Sequence, residues 1–109
     1  MKKFIETWKT LWKKEDPKYF DHYSESFSND KIKTKSHLVN HKQNTFKNTN
    51  IFEITLKEFF IFKKYNYYYI SFTQDYKAES NSDFGLKELW VEKSDNTYKI
   101  VYENWFPFK

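Results

Sequence analysis

Tyr67-Tyr68-Tyr69-Ile70-Ser71-Phe72-Thr73-Gln74-Asp75-Tyr76-Lys77-Ala78 reads with a period of two. Tyr68, Ile70, Phe72, Gln74 and Tyr76 share one face of a strand, and its apolar residues make that the core face, while Asp75 points the other way. Working outward, Ile51 to Phe62, Leu86 to Lys93 and Thr97 to Phe106 are also rich in aromatic and β-branched residues that alternate. Lys64-Tyr65-Asn66 and Ser94-Asp95-Asn96 read as short hairpin turns, and Glu79-Ser80-Asn81-Ser82-Asp83 as a longer polar one. Gly85 just beyond it reads as a bulge or kink. Upstream the period changes. Phe4, Ile5, Trp8, Leu11 and Trp12 recur every three or four residues, as in a helix. Asp16 is placed as an N-cap with Pro17 at the first helical position, predicting a second helix carrying Tyr19, Phe20, Tyr23 and Phe27. Ser28-Asn29-Asp30 reads as a loop and cap before a third helix. Its stripe is Ile32, Ser36, Val39, Gln43 and Phe46, with Leu38, Lys42 and Thr45 alongside. Three helices followed by four antiparallel strands predict an α+β fold. A sheet that curves around helices leaves a cone whose mouth is a natural pocket.

The chain has 109 residues, enough for one domain with a modest core, and neither a linker nor an internal repeat divides it. Aromatic residues supply 23% of it, which excludes a disordered segment despite 31% charged residues. A single glycine excludes glycine-rich phosphate loops. The absence of cysteine excludes disulfides, thiolate metal sites and a cysteine nucleophile. No apolar run approaches the roughly 20 residues of a membrane span. Met1-Lys2-Lys3 looks like the start of a signal peptide, but Glu6, Lys9, Lys13 and Lys14 leave no apolar stretch behind it. The formal charge is +4, and all 19 basic residues are lysines. Without arginine, the side chain suited to forked contacts with phosphate and guanine, nucleic acid is not an expected partner. Lys31 to Phe52 holds five lysines, two histidines and no acid, whereas Ser71 onward holds seven acids against five lysines. A basic helix beside a mildly acidic sheet is the expected arrangement.

Several short pieces along this order of elements carry a resemblance. They are Trp8 and Trp12, Lys14-Glu15-Asp16 leading to Tyr19-Phe20, Tyr23 and Phe27, then Lys42 with Phe46. In the second half they are Phe72-Thr73-Gln74-Asp75-Tyr76, Gly85-Leu86-Lys87-Glu88-Leu89, and Lys99-Ile100-Val101 with Glu103 and Trp105. Together they resemble the NTF2-like superfamily, a SnoaL-like cone of three helices on a curved four-stranded meander. More narrowly, they are similar to the NTF2-like domain C-terminal to L,D-transpeptidase (YkuD-type) domains in Helicobacter and Campylobacter relatives. The resemblance implies an accessory module that engages peptidoglycan or a partner domain in a periplasmic, cell-envelope setting. It also implies that this chain, lacking cysteine, is not the catalytic part. On that reading it is either an excised domain or a stand-alone relative.

Nine residues are candidates for a ligand-binding site at the cone's mouth: Tyr19, Tyr23, Lys42, Phe46, Gln74, Tyr76, Lys87, Glu103 and Trp105. Gln74 lies on an otherwise apolar face, where an unpaired amide costs about 1–3 kcal/mol; it bonds either a sugar or peptide amide, or the backbone. Lys87 shares its face with Leu89 and Val91, and either snorkels to solvent or binds an anion. Lys42 lies next to the Val39–Phe46 stripe in the same position. Glu103 and Trp105 present a conflict. The resemblance favours a functional Glu103, but strict alternation turns both residues away from Ile100 unless a bulge intervenes. His37 and His41, four apart, lack a third metal ligand and read as solvated helix residues. No metal or cofactor is expected.

Three functions are open. The first is a non-catalytic module for a cell-wall fragment or partner protein. The second is a small SnoaL- or ketosteroid-isomerase-like enzyme, for which Asp75 is the nearest acid although its parity is wrong. The third is a dimerisation module using the outer sheet face, where Tyr67, Tyr69, Trp90 and, unless a bulge intervenes, Trp105 would lie.

Overall fold

The structure, a computed structural model, describes residues 1–79 and 81–108, less the side chain of Asn48. Helix α1 (Lys2–Lys13) is followed by a 3₁₀ helix (Pro17–His22) and helix α2 (Lys35–Asn48). Strands β1 (Ile51–Lys64), β2 (Tyr67–Ala78), β3 (Ser82–Ser94) and β4 (Thr97–Pro107) then form one antiparallel sheet in the order β1-β2-β3-β4. The α+β architecture expected from the two periodicities is present. The helices lie on one face of the sheet. There Ile5, Trp8 and Trp12 of α1 join Tyr19, Tyr23, Phe27 and Leu38 over Ile54, Ile70, Phe72, Leu89, Val91 and Ile100. Ser80, part of the expected polar turn, lies outside the described residues; β3 already begins at Ser82.

The second helix differs from expectation. Asp16 caps it by accepting from the Lys18 amide at 2.9 Å, and Pro17 opens it, but it is a 3₁₀ helix that stops at His22. Over so few residues, spacings of three and four do not separate the two helix types. Tyr23 is already extended and forms a parallel bridge to Ile100, with the Ser24 amide donating to the Ile100 carbonyl at 2.9 Å. Tyr23 and Phe27 therefore run beside β4 rather than along a helix. The third helix also starts later, capped by Thr34, whose hydroxyl accepts from the His37 amide at 3.1 Å. Asn29 instead folds a loop, accepting from the Lys31 and Ile32 amides at 2.9 and 2.7 Å. The face α2 turns inward is Leu38, Val39, Lys42, Thr45 and Phe46; Ser36 and Gln43, expected on it, are exposed.

Two irregularities shape the sheet. In β1, Glu58 has a φ of 58° and, with Phe59, stands opposite one residue of β2. In β4 the pairing steps from Trp90↔Tyr102 to Val91↔Ile100, which leaves Val101 as an extra residue. Gly85, by contrast, is not a bulge. It pairs regularly with Gln74 and Pro107, and its φ is not positive. Its reason is close approach. A Cβ there would collide with the Phe106 carbonyl oxygen and come within 2.8 Å of Pro107 Cα and 2.9 Å of the Trp105 ring. Gly85→Ala is expected to lower stability by about 1–3 kcal/mol, as overpacking does, measured by urea denaturation. An unchanged midpoint would mean that β4 yields there freely.

Candidate functional site

The extra residue in β4 settles the parity conflict. It returns Glu103 to the face of Ile100, and Leu89↔Glu103 and Lys87↔Trp105 become cross-strand neighbours on the helix-bearing side. Trp105 consequently lies inside, over Gly85, and does not belong to the outer sheet face. Asp75 points outward, as its parity requires.

Glu103 is the centre of a buried polar chain. Its Oε1 accepts from the Tyr23 hydroxyl at 2.6 Å, and its Oε2 accepts from Lys87 Nζ at 2.9 Å. Because Tyr23 gives its one proton to Glu103, it must act as acceptor toward Trp8 Nε1 at 3.2 Å and Tyr19 at 2.8 Å. Thus Tyr19 donates to Tyr23. Asn29 Nδ2 donates to the Glu103 carbonyl at 3.1 Å and ties the loop before α2 to the same point of β4. Burial works to raise the Glu103 pKa, but Lys87, Lys42 and the Tyr23 hydrogen bond outweigh it and hold the carboxyl below its ordinary value. Burial first, and then the charge of Glu103, push Tyr19 and Tyr23 well up, so both remain neutral donors.

A cavity of about 600 Å³ opens beside this chain, within the range of small-molecule sites. Lys42, Gln74, Tyr76, Lys87, Glu103 and Trp105 all line it. Tyr19, Tyr23 and Phe46 do not. The two tyrosines, each 1% exposed, stand behind Glu103, and Phe46 packs on Tyr19 and Phe20. They support the wall instead of forming it. The sequence reading missed several lining residues, among them Trp12, Asn29 and Leu38. Trp12 was legible only as core, yet its ring lies 4.9 Å below Lys42 Nζ and stacks on Tyr76 at 5.4 Å. His37 and His41 are both exposed, and His41 stands at the cavity rim.

Two features of the cavity are chemically incomplete. Gln74, 3% exposed, has a side-chain carbonyl oxygen without a hydrogen-bond partner. Among the described residues, Lys42 has no carboxylate within ion-pair distance, since Glu103 is paired with Lys87. Burial and the neighbouring Lys87 push the Lys42 pKa down to about 8, despite the attraction of Glu103. This shift has a consequence for stability. Lys42 binds its proton less tightly folded than unfolded, so between about pH 8 and its ordinary 10.5 the unfolded chain carries more protons. The contribution of Lys42 to stability therefore rises with pH across that window, and Lys42→Met is expected to flatten the rise in denaturation curves.

The helix order, the meander and the pocket under β4 define an NTF2-like cone. The chain belongs to the family described as the Cds6 C-terminal NTF2-like domain, whose model matches residues 1–104. No curated protein matches. Among solved structures, Bd1075 of Bdellovibrio bacteriovorus is 28% identical with a TM-score of 0.92, over 99% of this chain and 39% of that one. A variant of the helical cell shape determining protein Pgp2 from Campylobacter jejuni is 24% identical with a TM-score of 0.81, over 93% of this chain and 38% of that one. An NTF2-like protein of unknown function from Pseudomonas putida matches at 14% identity and a TM-score of 0.82, over 95% of this chain and 81% of that one. The chain thus spans about two-fifths of the length of the first two.

Proposed function

We propose that the chain is a non-catalytic binding module whose cavity holds a peptidoglycan fragment through a free carboxylate and an adjacent amide N–H. The observation that carries this reading is that Lys42, without a counter-ion among the described residues, and Gln74, a buried amide whose oxygen has no donor, line one cavity. A carboxylate satisfies the first and a peptide N–H the second. Trp105 offers an aromatic surface for a sugar ring in the same cavity. The likeness to a cell shape determining protein supports a cell-wall ligand and a cell-envelope setting. Among the described residues, Glu103 is the one buried carboxylate lining the cavity, but its ion pair and its lowered pKa suit it to holding Lys87 and Tyr23 rather than to abstracting protons. That favours binding over isomerase chemistry.

Calorimetric titration with soluble muropeptides tests the proposal. Saturable binding that Gln74→Leu weakens by about tenfold, the worth of one buried hydrogen bond, is the expected result. No heat with any wall fragment would overturn it.

A further inference from the structure

The outer row Phe62–Tyr69–Trp90–Tyr102 runs across all four strands in register, its rings tiled edge to face at 5.0–5.1 Å where Trp90 meets Tyr69 and Tyr102. Tyr69, Trp90 and Tyr102 are each half-buried. The longest exposed apolar run lies at the free edge of the sheet. Phe59, Phe60, Ile61 and Phe62 of β1 are 42, 57, 46 and 55% exposed, and among the described residues no strand pairs with β1 on its far side. Four consecutive large apolar residues on an unpaired edge form a surface for strand addition.

We propose that this edge joins two copies of the chain, β1 to antiparallel β1, about a two-fold axis at Ile61. Charge selects both the occupant and the register. With Ile61 opposite its own copy, Phe60 meets the copy's Phe62, Phe59 meets Lys63, and Glu58 meets Lys64. Every such pair shares a face. Phe60, Phe62 and Lys64 stand opposite the outward residues Ser71, Tyr69 and Tyr67, and Glu58 accepts from the outward Thr73 hydroxyl. Phe59 packs on the inward Phe72, and Lys63 stands over Tyr68 on that same side. The symmetry makes each contact occur twice, giving two Glu58–Lys64 ion pairs. A slip of two residues, centred on Phe60, sets Glu58 against Phe62 and loses both. This interface does not depend on the cavity and is separate from its ligand.

Sedimentation equilibrium of the whole chain over a range of concentrations tests it. A monomer–dimer equilibrium is expected, weakened about a hundredfold by Ile61→Lys, which sets two cations together at the axis. Glu58→Lys and Lys64→Glu should each weaken it by about two- to tenfold, and the double exchange should restore it, an effect a merely misfolded variant cannot produce. Circular dichroism checks that each variant stays folded. A monomer at every concentration would overturn the proposal. So would a dimer that ignores these changes and is lost with Trp90→Ala on the outer face.

Discussion

Glu103→Ala is expected to cost about 3–5 kcal/mol of stability, the range for removing one partner of a buried ion pair. Two groups lose their counterpart at once. Lys87 Nζ is left buried without an anion, and the Tyr23 hydroxyl, which also receives Trp8 and Tyr19, loses its acceptor. Since a domain of this size has only about 5–15 kcal/mol in hand, the variant should be partly unfolded well below the melting temperature of the natural chain. Glu103→Gln retains an acceptor for Tyr23 but not the charge for Lys87, so it should fall between the two. Urea denaturation monitored by tryptophan fluorescence gives the order. If the alanine variant stays within about 1 kcal/mol of the parent, the polar chain is not a structural element.

Lys42→Met should behave in the opposite way. Lys42 is half-buried beside Lys87 and, among the described residues, has no carboxylate of its own, so replacing it with an apolar chain of similar length should leave stability unchanged or raise it. Binding should suffer. A charge-assisted contact is worth about 1.5–3 kcal/mol, which corresponds to a loss of about ten- to a hundredfold in affinity for an anionic wall fragment. The lowered pKa adds a pH signature. In the natural chain affinity should decline as pH passes about 8 and Lys42 sheds its proton, and in the methionine variant that decline should vanish. Bound carboxylate opposes the loss of the proton, so the decline should move upward as ligand approaches saturation. Calorimetry of both proteins across this range separates a ligand contact from a structural one.

The strands and α1 were legible because their apolar residues keep one period over ten or more positions. β2 matches its sequence reading from Tyr67 to Ala78, and β4 from Thr97 onward, because a half-buried strand cannot shift by one residue without turning its core outward. What escaped reading were features that a single extra residue decides. Nothing local distinguishes Val101 as that residue, yet it determines whether Glu103 and Trp105 face the cavity or solvent. The 3₁₀ helix escaped for a related reason, since Tyr19, Phe20 and Tyr23 fit either helix type. Among site residues, Lys42, Gln74 and Lys87 were legible as polar groups out of place on apolar faces, and that mismatch is what a ligand site looks like in a sequence. Asn29 gave no such sign, because its loop is drawn to the site by the fold and not by periodicity.

The central claim is that the cavity recognises a carboxylate together with an amide N–H. The most direct test titrates the chain with two muropeptides that differ only in whether the C-terminal carboxyl is free or amidated, followed by heteronuclear NMR. Shifts confined to the Gln74 side-chain amide, the Trp105 indole and the α2 amides around Lys42, with affinity lost on amidation, are the predicted result. Equal affinity for both ligands, or shifts on the outer sheet face instead, would contradict it.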